Sequence, residues 1–104
     1  MNAEAAASPQ VAAVDITTGV LLEAVGRLGL VMSADRRVSE ESAAKLLGIS
    51  HAHLKESRQQ GNAPMHFVLG VGGSRLSYRV SDLASWIEAG REDPLRQRRR
   101  RQRS

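Results

Sequence analysis

Apolar residues recur at three- and four-residue steps from about Thr17 to Met32. Val20, Leu21, Ala24, Val25, Leu28, Val31 and Met32 share one helical face in this stretch. The pattern predicts an amphipathic helix within residues 15–34. Gly19, Gly26 and Gly29 each cost such a helix up to about 1 kcal/mol relative to alanine, so packing of its apolar stripe must hold it. Residues 1–14, alanine-rich with Ser8, Pro9 and Gln10, show no clear period and read as a mobile arm.

Past a polar connection at 33–37, Val38 and Ser39 open a second helix. Ser39 is a good cap, Glu40 and Glu41 suit the positive end, and Ala43, Leu46 and Leu47 form the buried face. Gly48 stops it, Ile49 is a buried hinge, and Ser50 caps a third helix running to about Gln60 or Gly61. The small side chain of Ala44 lets the two helices approach closely. After a turn at Asn62-Ala63-Pro64, Phe67–Leu69 and Leu76–Val80 alternate as strands joined by Gly70–Ser74, a β-hairpin with Arg75 near its tip. Ser81 is then expected to cap a last helix with a stripe of Leu83, Trp86 and Ile87, ended by Gly90 and Pro94. The fold class is mainly α with a β-hairpin. It divides into an arm (1–14), an amphipathic helix (15–34), a packed unit (35–90) and an arginine-rich tail (91–104).

Charge sharpens this picture. The tail holds seven arginines against Glu92 and Asp93, a local charge of +5 in a chain whose total is +4, so the body is close to neutral. Clustered arginines such as Arg98, Arg99, Arg100 and Arg101 release counterions from a phosphate backbone, which points to a polyanionic partner. The chain has no cysteine, which excludes disulfides and thiolate metal sites. No apolar run reaches the roughly 20 residues that span a bilayer, and the first residues lack the basic start of a secretory signal. A cytoplasmic, nucleoid-associated location without membrane contact is expected.

The run from Val38 to Ala89 resembles the excisionase-like and MerR-like winged helix-turn-helix families, most closely their short phage and plasmid members. Three pieces carry the resemblance: VSEESAAKLLGIS for the first helix and turn, GNAP leading into FVLG, and LSYRVSDLASWI for the second wing strand and closing helix. Position 57, where similar domains carry a large apolar residue, is Ser57, and the wing tip is long and glycine-rich. The resemblance implies a winged helix-turn-helix preceded by an extra amphipathic helix, with double-stranded DNA as the partner.

Function then follows as an expectation. With Leu54 turned inward, the helix beginning at Ser50 enters the major groove, with His51, His53, Lys55 and Arg58 as groove-facing candidates beside Ser50, although Arg58 pairing with an acid is a structural alternative. Arg75 and Arg79 serve the wing, although Arg79 pairing with Asp82 or Glu88 is a structural alternative. Tyr78 and Trp86 are expected to close the core rather than stack on bases. The roles open to such a domain are a small transcriptional regulator or a recombination directionality factor working with an integrase or another DNA-processing enzyme. A packaging component resembling a phage small terminase subunit is the alternative. The helix at Leu21 to Met32 either packs on its own domain, giving assembly along DNA, or faces a twin, giving a homodimer that reads half-sites about 34 Å apart.

Catalysis, cofactors and metals are not expected. His51 and His53 point about 200° apart on a helix and cannot readily share a metal, and Gly72-Gly73 lacks the lysine and helix of a phosphate loop.

Overall fold

A computed structural model describes residues 9–70, 75–92 and 94–95. Among them, four helices and a three-stranded antiparallel sheet follow in the order α1 (Pro9–Leu28), β1 (Arg37–Ser39), α2 (Glu40–Leu47), α3 (His51–Gln59), β2 (Phe67–Leu69), β3 (Arg75–Arg79) and α4 (Val80–Ala89). No helix among the described residues is long and apolar enough to cross a membrane.

Helix α1, Pro9–Leu28, includes part of the stretch read from sequence as an arm. Residues 9–14 of that stretch are helical, in keeping with the high helix propensity of Ala12 and Ala13, and the rest of the expected arm, residues 1–8, lies outside the described residues. The helix also ends sooner than the apolar period implied. Gly29 adopts φ 66°, a left-handed conformation that stops it, so Val31 and Met32 lie beyond the helix and Val31 is exposed. Leu21, Ala24 and Val25 are its buried residues. They join the common core, α1 packs chiefly on α4, and Thr17 Oγ1 donates to Glu88 Oε2 at 2.7 Å. Helix α4 therefore covers the part of the stripe around Leu21, Ala24 and Val25, while Val20 and Leu28 stay exposed.

The central strand of the sheet is β3, with β1 and β2 on either side. Val38 pairs with Tyr78, and Val68 with Leu76. Because side chains alternate, Val38 and Tyr78 point into the core while Arg37, Phe67, Ser77 and Arg79 share the opposite face. Strand β1 takes Arg37 from the segment read as a polar connection and Val38 and Ser39 from the expected opening of the second helix, which starts at Glu40 with Ser39 as its cap. With three residues and one inward side chain, it carries too little alternation to stand out.

Core packing centres on Tyr78, Leu54, Leu83, Val38 and Val80, all fully buried, with Ala43 and Ala44 between α2 and its neighbours. Helix α4 starts one residue before the expected cap. Arg79 occupies the cap position without a side-chain bond, and Ser81 lies inside the helix. Instead the Val80 N–H donates to Arg36 O at 2.9 Å, tying the helix entry to the turn before β1. Tyr78 closes the core as expected, but Trp86 stands 36% exposed and its Nε1 donates to Asn62 O at 3.2 Å. That bond anchors the turn after α3 to α4.

Candidate nucleic-acid interface

The link between α2 and α3 is defined by its caps. Ser39 Oγ accepts from the Ser42 N–H at 3.1 Å and starts α2. Gly48 at φ 76° ends it, and Ile49 N donates back to Ala44 O at 3.0 Å. Only glycine takes the left-handed conformation without a Cβ penalty, which is why the reversal falls there. Ser50 Oγ then accepts from the His53 N–H at 3.0 Å and opens α3. Two helices are thus joined by three residues, each with a defined role.

Leu54 is the buried residue of α3 and fixes its rotation. Four residues further on, Arg58 lies on the same side, because residues four apart share a helical face. Its guanidinium turns onto Glu40, with Nε donating to Oε2 at 2.6 Å and Nη2 to Oε1 at 3.3 Å. Tyr78 Oη donates to the same Oε2 at 2.7 Å, and His51 Nε2 stands 3.3 Å from Oε1. Glu40, 7% exposed, therefore joins the start of α2, both turns of α3 and the central strand. Burial pushes its carboxyl up, but the hydrogen bonds from Arg58 and Tyr78 outweigh this and hold it below the usual range. Burial, reinforced by the Glu40 carboxylate, pushes the Tyr78 phenol above its ordinary value.

The opposite side of α3 is open. Ser50, Ala52, His53, Lys55, Glu56 and Gln59 line a shallow depression of about 480 Å³. Of the residues expected to face a groove, His53 and Lys55 lie on this side. The Ser50 hydroxyl is engaged as a cap, and the half-exposed His51 leans toward Glu40. Arg58 is turned inward with its side chain only 20% exposed, contrary to its expected groove-facing place. Ala52, Glu56 and Gln59 take the open positions that sequence reasoning missed. The signal was present: once Leu54 is taken as the inward residue, the helical period turns Arg58 inward and these three outward.

On the hairpin, Arg75 is exposed at the start of β3. Arg79 pairs with neither Asp82 nor Glu88; its Nη2 lies 3.2 Å from Asp35 Oδ2, since both flank the β1–β3 pairing. Glu88 accepts from Thr17 and lies 3.7 Å from Arg91 Nη1. Arg98, Arg99, Arg100 and Arg101 lie outside the described residues. Among the described residues, no group of three or more histidines or carboxylates gathers as a metal-binding set.

Comparison with protein-family models, curated proteins and solved structures finds no significant match to this chain.

Proposed function

We propose that the chain is a sequence-specific binder of double-stranded DNA built as a winged helix-turn-helix. In this reading α3 enters the major groove and the β2–β3 hairpin acts as the wing. The observation that carries it is the division of α3 into two sides. One is fixed by Leu54 and Glu40, while the other presents His53, Lys55, Glu56 and Gln59 to solvent as a rigid polar surface. Those side chains can discriminate base edges: glutamine bonds adenine N6 and N7, lysine guanine O6 and N7, and glutamate accepts from cytosine N4. Lys55 and Glu56 cancel in charge, so α3 supplies selectivity and the arginines elsewhere supply affinity.

The biological roles that fit are a small transcriptional regulator or a recombination directionality factor. Because α1 packs on α4, the form of assembly this reading favours is single copies that associate along DNA. The test is an amide-shift titration of the full chain with duplex DNA. Shifts concentrated at 50–60 and in the hairpin are expected; shifts confined to α1 and the tail would reject the assignment of α3.

A further inference from the structure

One face of the sheet turns Val38 and Tyr78 into the core, and the other carries no buried residue: Ser39, Leu69 and Arg75 are exposed there and Arg37, Phe67, Ser77 and Arg79 half-buried. On this second face Arg37 and Arg79 lie side by side in register, and both guanidinium groups sit over the Phe67 ring, at 5.5 and 4.9 Å from its centroid. Arg75 stands further along the same face, about 13 Å from Arg79 at the rise of a strand. Ser77 lies between them, its Oγ accepting from Arg37 Nη1 at 3.0 Å. Arg36 is exposed at the rim. Neither Arg36 nor Arg75 has an ion-pair partner among the described residues.

Against these four arginines stands one carboxylate. Asp35 accepts from Arg37 Nε at 2.8 and 2.9 Å, from Arg79 Nη2 at 3.2 Å and from Ser33 Oγ at 2.6 Å. The turn that presents it is strained: Arg36 has φ 65°, a conformation that costs a non-glycine residue about 1–2 kcal/mol. The arrangement holds two guanidinium groups over an aromatic ring with one shared counterion, leaving donors of both arginines for a second anion.

We infer that this sheet face is a second DNA contact, in which Arg37 and Arg79, ordered by Phe67 and Asp35, bind backbone phosphates with Arg75 extending the track. The inference rests on the DNA-binding reading above and deepens its wing: Arg75 and Arg79 are the residues expected there, and the phosphate track through Arg37, with Phe67 and Asp35 ordering it, is what it adds. Arginines spread over one face fit a regularly repeating polyanion better than the one or two carboxylates of a peptide segment. Asp35 acts as a built-in competitor that lowers the affinity of this face.

The test measures full-chain binding to a labelled duplex as a function of salt, for the wild type, Arg37→Gln/Arg79→Gln and Asp35→Asn, with thermal melts confirming that each variant folds. Each phosphate contact contributes about 0.9 to the slope of log K against log salt. The double variant is expected to weaken binding about 10- to 100-fold near 0.1 M salt and to flatten the slope by about 1 to 2. Asp35→Asn is expected to act in the opposite direction, tightening binding several-fold and steepening the slope. Base preference should be unchanged in both, since α3 is untouched. Folded variants with wild-type affinity and slope would overturn the inference while leaving the α3 reading intact. Weaker binding by Asp35→Asn would overturn the competitor role. Failure of the wild type to bind duplex would overturn both, and loss of binding to polyglutamate but not to DNA would reassign the face to an acidic protein.

Discussion

Arg58, on the third helix, donates through Nε to Glu40 Oε2 at 2.6 Å, bridging eighteen positions of sequence from the first residue of α2 to the last turn of α3. The contact takes an arginine away from the open face of α3 and uses it to set that helix in place. It also makes Glu40 structural: a carboxylate so enclosed is tolerated only because Arg58, Tyr78 and His51 surround it.

Removing that carboxylate should therefore be costly. Glu40→Ala leaves the inward guanidinium of Arg58 and the buried Tyr78 hydroxyl unpartnered, with an expected loss of about 2 to 4 kcal/mol. The melting temperature should drop on the order of 10 to 25 °C for a domain of this size. Glu40→Gln retains an acceptor and should lose less. A melt of Glu40→Ala within a few degrees of wild type would contradict the role of this cluster.

Stability should also depend on pH in a defined direction. Glu40 is held below its ordinary value, and so is Asp35, through hydrogen bonds from Ser33 and Arg37. A depressed folded-state value stabilises fully above the unfolded carboxylate range of about 4 and is lost as pH falls through the folded value. Tyr78, raised in the folded state, gives the opposite limb: its contribution is complete below about 10 and declines as pH rises beyond that. Urea unfolding across pH should show a plateau with losses at both ends. Glu40→Gln should flatten the acid limb and Tyr78→Phe the alkaline one.

Gly48 offers a test of the reversal between α2 and α3. Nothing lies within 4 Å of a Cβ placed there, so Gly48→Ala introduces no clash and only the left-handed backbone opposes it. The expected cost is about 1 kcal/mol, read by denaturant midpoint at unchanged slope. A neutral effect would mean that the turn relaxes more freely than its caps imply.

Selectivity should reside in the open side of α3. Lys55→Ala/Gln59→Ala alters exposed residues and should leave stability within about 0.5 kcal/mol. Preference for a selected site over random duplex should fall about tenfold or more, as expected for loss of base-edge contacts worth about 1–3 kcal/mol each. Competition binding measures the ratio, and an unchanged ratio would remove these residues from the reading surface.

The parts of this architecture legible in sequence are those specified by local chemistry. Ser39, Gly48 and Ser50 each act within three or four residues, and their caps mark α2 and α3 before any tertiary contact is known. The hairpin was similarly legible from alternation around a glycine-rich link. What escaped depends on distant partners: β1 exists because Val38 meets Tyr78, and Arg79 turns to Asp35 because β1 pairs with β3. Glu40 was read for its favourable place at a helix start, while its burial depends on residues 11, 18 and 38 positions away. The inward place of Leu54 was legible, as was an acid-paired Arg58 as the alternative to groove contact, but that the acid is Glu40, eighteen positions away, was not.

The central claim is that α3 reads duplex DNA, and selection of binding sites from random duplexes by the full chain tests it most directly. Moderate salt suppresses the attraction of the arginines for any backbone. Enrichment of a short motif, single or repeated at helical spacing, is the predicted result. Recovery of sequences no different from the starting pool would contradict it.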